Sequence, residues 1–267
     1  MSTSSTIGMF DSGVGGLTVL REVERLLPYD TFVYFGDTAR CPYGPKGDKT
    51  IIRYSIENGI FLIDHGIELL IVACHTASAL ALTKLQTTFN IPVLGVIEPA
   101  VDAACAVTQN RHIGVIGTRA TINSGVYQRA ISDRLSDATI IACACPLFVS
   151  IVEEQFANEE ITRLIVKEYL APLKKKNIDT LVLGCTHYPL LEKLIQEEMG
   201  SDVQLVNPAL TCAKAALKIR QEKLPCKRPS KDAHQFFVSD DPTRFQAIGE
   251  RFFGLPLPSI QTVTTFY

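Results

Sequence analysis

At 267 residues, 46% hydrophobic and 20% charged, the chain has the size and composition of one large or two modest globular domains. A formal charge of −2 argues against a nucleic-acid partner, which calls for a basic excess, and no apolar run reaches the ~18–20 residues that span a bilayer. Eight cysteines without a CxxC pair give no small disulfide framework, and the start carries neither a basic nor an apolar leader. Free thiols in a reducing cytoplasm are expected, most of them small core residues.

After six residues read as disordered, residues 7–10 read as a strand that enters Asp11-Ser12-Gly13-Val14-Gly15-Gly16 and a helix up to Leu27. The glycines permit a tight turn, and the amides of the following helix start suit an anion. The stretch lacks the Gly-Lys-Ser/Thr of a P-loop and departs from GxGxxG, so a small carboxylate is expected ahead of a phosphate. A strand over 31–35 leads to a Pro- and Gly-dense loop, Cys41-Pro42-Tyr43-Gly44, expected to wall a substrate site. A helix over 50–65 follows, with Ile52, Ile56, Ile60 and Ile63 at helical spacing.

Then comes Leu69-Leu70-Ile71-Val72-Ala73-Cys74-His75-Thr76, a continuous apolar run ending in a cysteine and a hydroxyl. Such a run reads as a strand buried on both faces of a parallel sheet, whose carboxyl end carries the ligand site. Further on, a strand over 91–97 and Glu98-Pro99 mark a crossing into a second half. There, strands near 113–117 and 139–143 alternate with helices over 100–108, 124–135 and 159–175, and Gly117-Thr118 to Thr121 form a hydroxyl-rich strand end. The cysteine design then repeats in Thr180-Leu181-Val182-Leu183-Gly184-Cys185-Thr186-His187. A helix over 210–221, a strand over 235–239 and a helix over 242–253 close the chain. The last segment is too short to stand alone and is expected to pack on the first half, while the basic stretch 223–231, broken by two prolines, reads as a solvated loop. Strands alternating with helices give an α/β fold of two pseudo-symmetric domains with mainly parallel sheets flanked by helices. The site is expected in the cleft between them.

Two thiols facing one carbon suit removal of a proton from a stereocentre and its return from the opposite face. A free thiol has a pKa near ~8.5, so each needs help at neutral pH. Asp11 is placed to assist Cys74, and His187, two positions beyond Cys185, to assist the other side. Glu153 orients the imidazole if it faces His187; otherwise it is a solvated helix residue. Asp11 can equally cap a turn, Thr118 and Thr121 can be plain turn and N-cap residues, and Cys143 and Cys145 read as structural. Two rival chemistries use the same side chains: zinc on Cys74, Cys185 and His187, and a Cys74–Cys185 redox pair. The first lacks close ligand pairs and the second lacks CxxC.

Taken together, Asp11-Ser12-Gly13-Val14-Gly15-Gly16, Phe35-Gly36-Asp37, Pro42-Tyr43-Gly44, Ala73-Cys74-His75-Thr76-Ala77, Gly184-Cys185-Thr186-His187-Tyr188-Pro189 and Val238-Ser239-Asp240-Asp241-Pro242 resemble the bacterial glutamate racemases of the aspartate/glutamate racemase superfamily. The resemblance implies interconversion of L- and D-glutamate for peptidoglycan without cofactor or metal, in a cytoplasmic enzyme that is often a homodimer. Domains of 1–97 with 210–267 and of 98–209 are expected. By position, Cys74 handles the proton of D-glutamate and Cys185 that of L-glutamate, with Asp11, His187 and Glu153 as helpers. Asp11, Ser12, Pro42, Tyr43, Gly44, His75, Thr76, Thr118, Thr121, Thr186 and His187 hold the amino acid. One departure is His75, where the family has Asn. A protonated imidazole there would depress the neighbouring thiol, so weaker or more pH-dependent activity is expected. Aspartate or a related amino acid as substrate, or a catalytically weak binding protein of this fold, are the alternatives.

Overall fold

The computed structural model describes residues 5–154, 159–224 and 234–263. From Pro225 to Lys231 the basic stretch lies outside them. In chain order the elements are β1 (Thr6–Asp11), α1 (Leu17–Leu26), β2 (Thr31–Gly36), α2 (Asp48–Asp64), β3 (Leu69–Val72), α3 (His75–Thr88), β4 (Val93–Gly95) and α4 (Ile97–Val107). They continue with β5 (His112–Gly117), α5 (Arg119–Asn123), α6 (Val126–Arg134), β6 (Thr139–Ala144), α7 (Leu147–Glu153), α8 (Glu159–Lys174) and β7 (Thr180–Gly184). The last are α9 (Glu192–Met199), β8 (Gln204–Val206), α10 (Pro208–Lys223), β9 (Gln235–Val238), α11 (Pro242–Phe253) and β10 (Ile260–Thr262).

Two parallel sheets result. One has the order β10-β9-β2-β1-β3-β4 and the other β6-β5-β7-β8, with every pairing parallel. The apolar runs are continuous because both faces of the first sheet are covered. Ile7, Met9, Phe32, Tyr34, Leu69 and Ile71 enter a core that continues into the second sheet through Ile113, Val115, Leu181 and Leu183. Phe10, Val33, Phe35, Leu70 and Val72 enter a core on the opposite face, beneath α2 and α3. That is period-two alternation with an apolar answer on each side. β9 and β10 extend the first sheet beyond β2, so the C-terminal segment returns to it.

Several boundaries differ from the sequence reading. The strand read over 91–97 shrinks to β4, and α4 already begins at Ile97. Pro99 is tolerated there because first-turn amides have no intrahelical acceptor. α6 starts at Val126 because Gly125 takes a left-handed φ of 66°. α10 starts at Pro208, with the Asn207 side chain accepting the Ala209 amide. On α2 the buried stripe is Ile51, Ser55, Asn58, Gly59 and Leu62, and the four isoleucines read from the spacing are only half-buried. Gly59 sets that face: a Cβ there would stand 2.4 Å from the Phe89 ring. The short α5 and β10 are too brief to carry a periodic signal.

Candidate active site

The carboxyl ends of the parallel strands converge on one narrow cavity. It measures about 30 Å³ and is lined by Ser12, Cys41, Pro42, Tyr43, Gly44, Cys74, His75, Thr76, Thr118, Val149, Cys185, Thr186 and His187. β1 delivers Ser12, β3 delivers Cys74, and the second sheet delivers Thr118 from β5 and Cys185 from β7. Cys74 and Cys185 thus face one space from separate sheets. Asp11, Thr121 and Glu153 stand behind the lining, hydrogen-bonded to residues that form it. Cys41 joins it from the loop expected to wall a substrate, and Val149 joins it unread from the sequence, because an apolar residue in a short helix looks like ordinary structure.

Cys74 is 5% exposed and precedes the first residue of α3. Burial, with the Asp11 charge next, pushes its thiol up to about 12, against hydrogen bonds from the Ala77 amide and the Ser12 side chain. Asp11 is fully buried and burial raises its own carboxyl, although the His187 charge and the Gly13 amide at 3.0 Å oppose the shift.

The Cys185 side is built from the opposite charge logic. His187 Nδ1 lies 3.8 Å from Cys185 Sγ, and Nε2 lies 2.8 Å from Glu153 Oε1. Burial alone would lower the imidazolium, but hydrogen bonds to Cys185 and Glu153 outweigh it and lift His187 to about 10. Glu153 is correspondingly held low: the bond to His187 overcomes its burial. Phe252 of α11 meets the imidazole edge-to-face, centroids 5.4 Å apart.

The two sides touch where Thr186 donates to Asp11 Oδ1 at 3.5 Å and Thr18 donates to the Thr186 carbonyl at 3.0 Å. This contact corrects the reading of the glycine loop. A Cβ on Gly15 would stand 2.3 Å from Thr186 Oγ1 and 2.6 Å from the His187 ring, so the glycine admits protein side chains rather than a ligand. The amides of Leu17, Thr18, Val19 and Leu20 bond to the carbonyls of residues 14–16, and α1 presents no anion site.

The hydroxyls of Thr76, Thr118 and Thr121 form a closed triangle with separations of 2.9, 3.0 and 3.3 Å. Thr118 also caps α5, accepting the Thr121 amide. Tyr43 reaches the cavity, yet its hydroxyl turns away to Asp37 and accepts from Asn58 at 3.0 Å. Arg40 locks this loop from behind, donating to Asp37 at 2.8 and 2.9 Å, to Asn58 at 2.8 Å and to Glu57. Gly44 then meets the other sheet's loop: its carbonyl accepts the Ala120 amide at 3.3 Å, and a Cβ on it would lie 3.0 Å from Thr118.

His75 departs from the charged imidazole considered above. It is 3% exposed, and burial followed by the His187 charge lowers it to about 3, so it is neutral at working pH. Both ring nitrogens are buried without a hydrogen-bond partner, as is the Tyr127 hydroxyl, and the two rings stack with centroids 6.5 Å apart. Among the described residues no group of three or more His, Cys, Asp or Glu is arranged to hold a metal ion. No helix among them is long and apolar enough to cross a membrane.

Comparison with known proteins adds three findings. The family described as Asp/Glu/hydantoin racemase matches residues 18–216. A glutamate racemase of Geobacter metallireducens is 47% identical over 259 residues, which is 97% of this chain and 96% of that one. Two crystal structures cover 98% of both chains: a glutamate racemase of Bacillus anthracis at TM-score 0.93 and 40% identity, and that of Francisella tularensis in complex with D-glutamate at 0.92 and 36%.

Proposed function

Because the chain belongs to the Asp/Glu/hydantoin racemase family and is an amino-acid racemase, we propose that it interconverts L- and D-glutamate by proton transfer between two cysteine thiols. The observation that carries this reading is the entry of Cys74 and Cys185 into one small cavity from different sheets. The relatives' names support glutamate as substrate.

In the L-to-D direction, Cys185 acts as thiolate against the His187 imidazolium and removes the α-proton. The Cys74 thiol then donates its proton to the opposite face of the carbanion. Cys185 ends as thiol and Cys74 as thiolate, so charge and protons balance; the D-to-L direction runs these steps backwards. Glu153 holds the imidazolium, and a hydrogen bond to a buried charge is worth about 1.5–3 kcal/mol. Ser12, Thr76, Thr118 and Thr186, with the backbone amides of Tyr43 and Gly44, bind the amino acid, and Thr121 acts through Thr76 and Thr118. Hydroxyls and amides satisfy carboxylates without introducing a competing base. At 30 Å³ the cavity holds roughly two waters, so the cleft widens to admit glutamate.

The reading takes residues 1–97 with 210–267 and residues 98–209 as two domains. It also takes the enzyme as a cytoplasmic homodimer that works without cofactor and supplies D-glutamate for peptidoglycan. Circular dichroism of each enantiomer in deuterated water, with chelator and no added cofactor, tests the chemistry. Racemisation from both sides with one deuterium entering the product α-carbon is expected, and Cys74→Ser or Cys185→Ser should abolish it. Silence on glutamate with turnover of aspartate would overturn the substrate, and full activity of either serine variant would overturn the two-thiol mechanism.

A further inference from the structure

Glu153 is one of two successive carboxylates at the end of α7, and the other is held from across the cleft. Glu154 Oε1 accepts from Arg244 Nη2 at 2.7 Å. Arg244 belongs to α11, which follows β9 of the first sheet, whereas α7 follows β6 of the second. The pair therefore spans the two sheets one residue away from the carboxylate on His187. Both helices are fixed at their starts. Phe148 of α7 sits in the second core, edge-on to Tyr169 and Tyr188 with centroids 5.3 and 5.2 Å apart. At the start of α11, Thr38 Oγ1 accepts the Asp240 amide at 2.8 Å and Ser239 donates to Asp37 Oδ1 at 3.1 Å. The Asp241 side chain accepts the Arg244 amide at 2.9 Å. The end of α7 has no comparable anchor: among the described residues, the Glu153 and Glu154 side chains hydrogen-bond only to His187 and Arg244. Glu153 and Arg244 also line a cavity of about 230 Å³, and Cys41 and Pro42 line both it and the catalytic cavity.

We propose that Arg244 is a positioning residue for racemisation: by pairing with Glu154 it fixes the end of α7 and so keeps the Glu153 carboxylate on His187 Nε2. The assignment rests on the two-thiol reading, in which a charged His187 faces Cys185. An ion pair this exposed, with side chains 51% and 63% accessible, adds little to stability. Its effect falls on geometry instead. α7 has only seven residues, helix ends fray, and Glu153 is its last residue. If that end loosens, the carboxylate leaves Nε2 and the imidazolium loses its partner. Arg244 is absent from the lining of the catalytic cavity and acts through Glu154 and Glu153. The charged or titratable groups facing His187 are Cys185 beside it, Glu153 from α7, Asp11 from β1 and His75 from α3. Phe252 gives α11 a second, uncharged contact with the same ring.

Dichroism kinetics of Arg244→Ala and Glu154→Gln between pH 6 and 10.5, alone and combined with Glu153→Gln, test the assignment. Each single variant should lose about three- to fivefold in kcat/KM, the upper range for an exposed ion pair, and its alkaline limb should move to lower pH. In the Glu153→Gln background neither change should cost anything further, because the group through which it acts is already disabled. Arg244→Glu combined with Glu154→Arg rebuilds the pair and should recover most of the activity that each reversal alone removes. Wild-type kinetics for either single variant would overturn the assignment. So would equal losses with and without Glu153→Gln, or a double reversal no better than its single changes. Failure of the parent reading looks different: Cys185→Ser would then racemise normally, whatever residue stands at position 244.

Discussion

Glu153→Gln isolates the charge that holds His187. The substitution keeps the shape of the side chain 2.8 Å from Nε2 and removes only its charge. The imidazole is buried, so once that charge is gone burial favours the neutral ring. A hydrogen bond to an ionised group is worth about 1.5–3 kcal/mol, which converts to a roughly 10- to 150-fold weaker hold on the proton. The imidazolium that faces Cys185 is then lost at lower pH, and the alkaline limb of kcat/KM moves down with it. The assay is circular dichroism of both enantiomers between pH 6 and 10.5. L- and D-glutamate have equal free energy, so kcat/KM must fall equally in the two directions, an internal check on the measurement. The same shift shows in stability. His187 is raised in the folded state, so its stabilisation is complete below its unfolded value of 6.5 and is lost as pH rises through about 10. Wild-type Tm should therefore decline from pH 7 to 10 more steeply than that of Glu153→Gln. An unmoved alkaline limb together with kcat/KM within twofold of wild type would refute the reasoning.

Two further substitutions probe the walls of the site. His75 is lowered to about 3, below its unfolded value of 6.5, so the wild type loses stability as pH falls through that window, by up to ~1.4 kcal/mol per pH unit. His75→Asn should remove this acid sensitivity in Tm measurements while leaving the shape of the kcat/KM profile above pH 6 unchanged; a changed profile there would mean that His75 titrates during catalysis. Gly15→Ala places a methyl against Thr186 and the His187 ring. Overpacking of this kind costs about 1–3 kcal/mol, and displacement of His187 should lower kcat/KM at least tenfold, by denaturant titration and the same dichroism assay. Wild-type values for both would show that the loop yields freely.

Much of the architecture was legible in local pattern. Continuous apolar runs at 69–73 and 180–184 can be satisfied only by strands covered on both faces, and a cysteine at the end of each falls where parallel sheets gather their ligand sites. The motif around each cysteine was enough to place the chain near its family. What a side chain does at the site was less legible. Tyr43 and Cys41 occupy the same loop, yet the Tyr43 hydroxyl is claimed by Asp37 and Asn58 while Cys41 reaches the cavity. Asp11, predicted to lie at the cavity, is held behind it by contacts to Gly13 and Thr186.

The sequence by itself therefore determined the alternation of strands and helices, the two thiols and the residues able to assist them, because these follow from short-range periodicity and residue chemistry. Only the tertiary structure decided that His187 is charged and His75 neutral, that Gly15 makes room for Thr186 and His187, and that Cys41 joins two cavities. Proton affinity and close approach are set by burial and by partners such as Glu153 for His187 and Thr186 for Asp11, which are distant along the chain and become neighbours only when the two sheets come together.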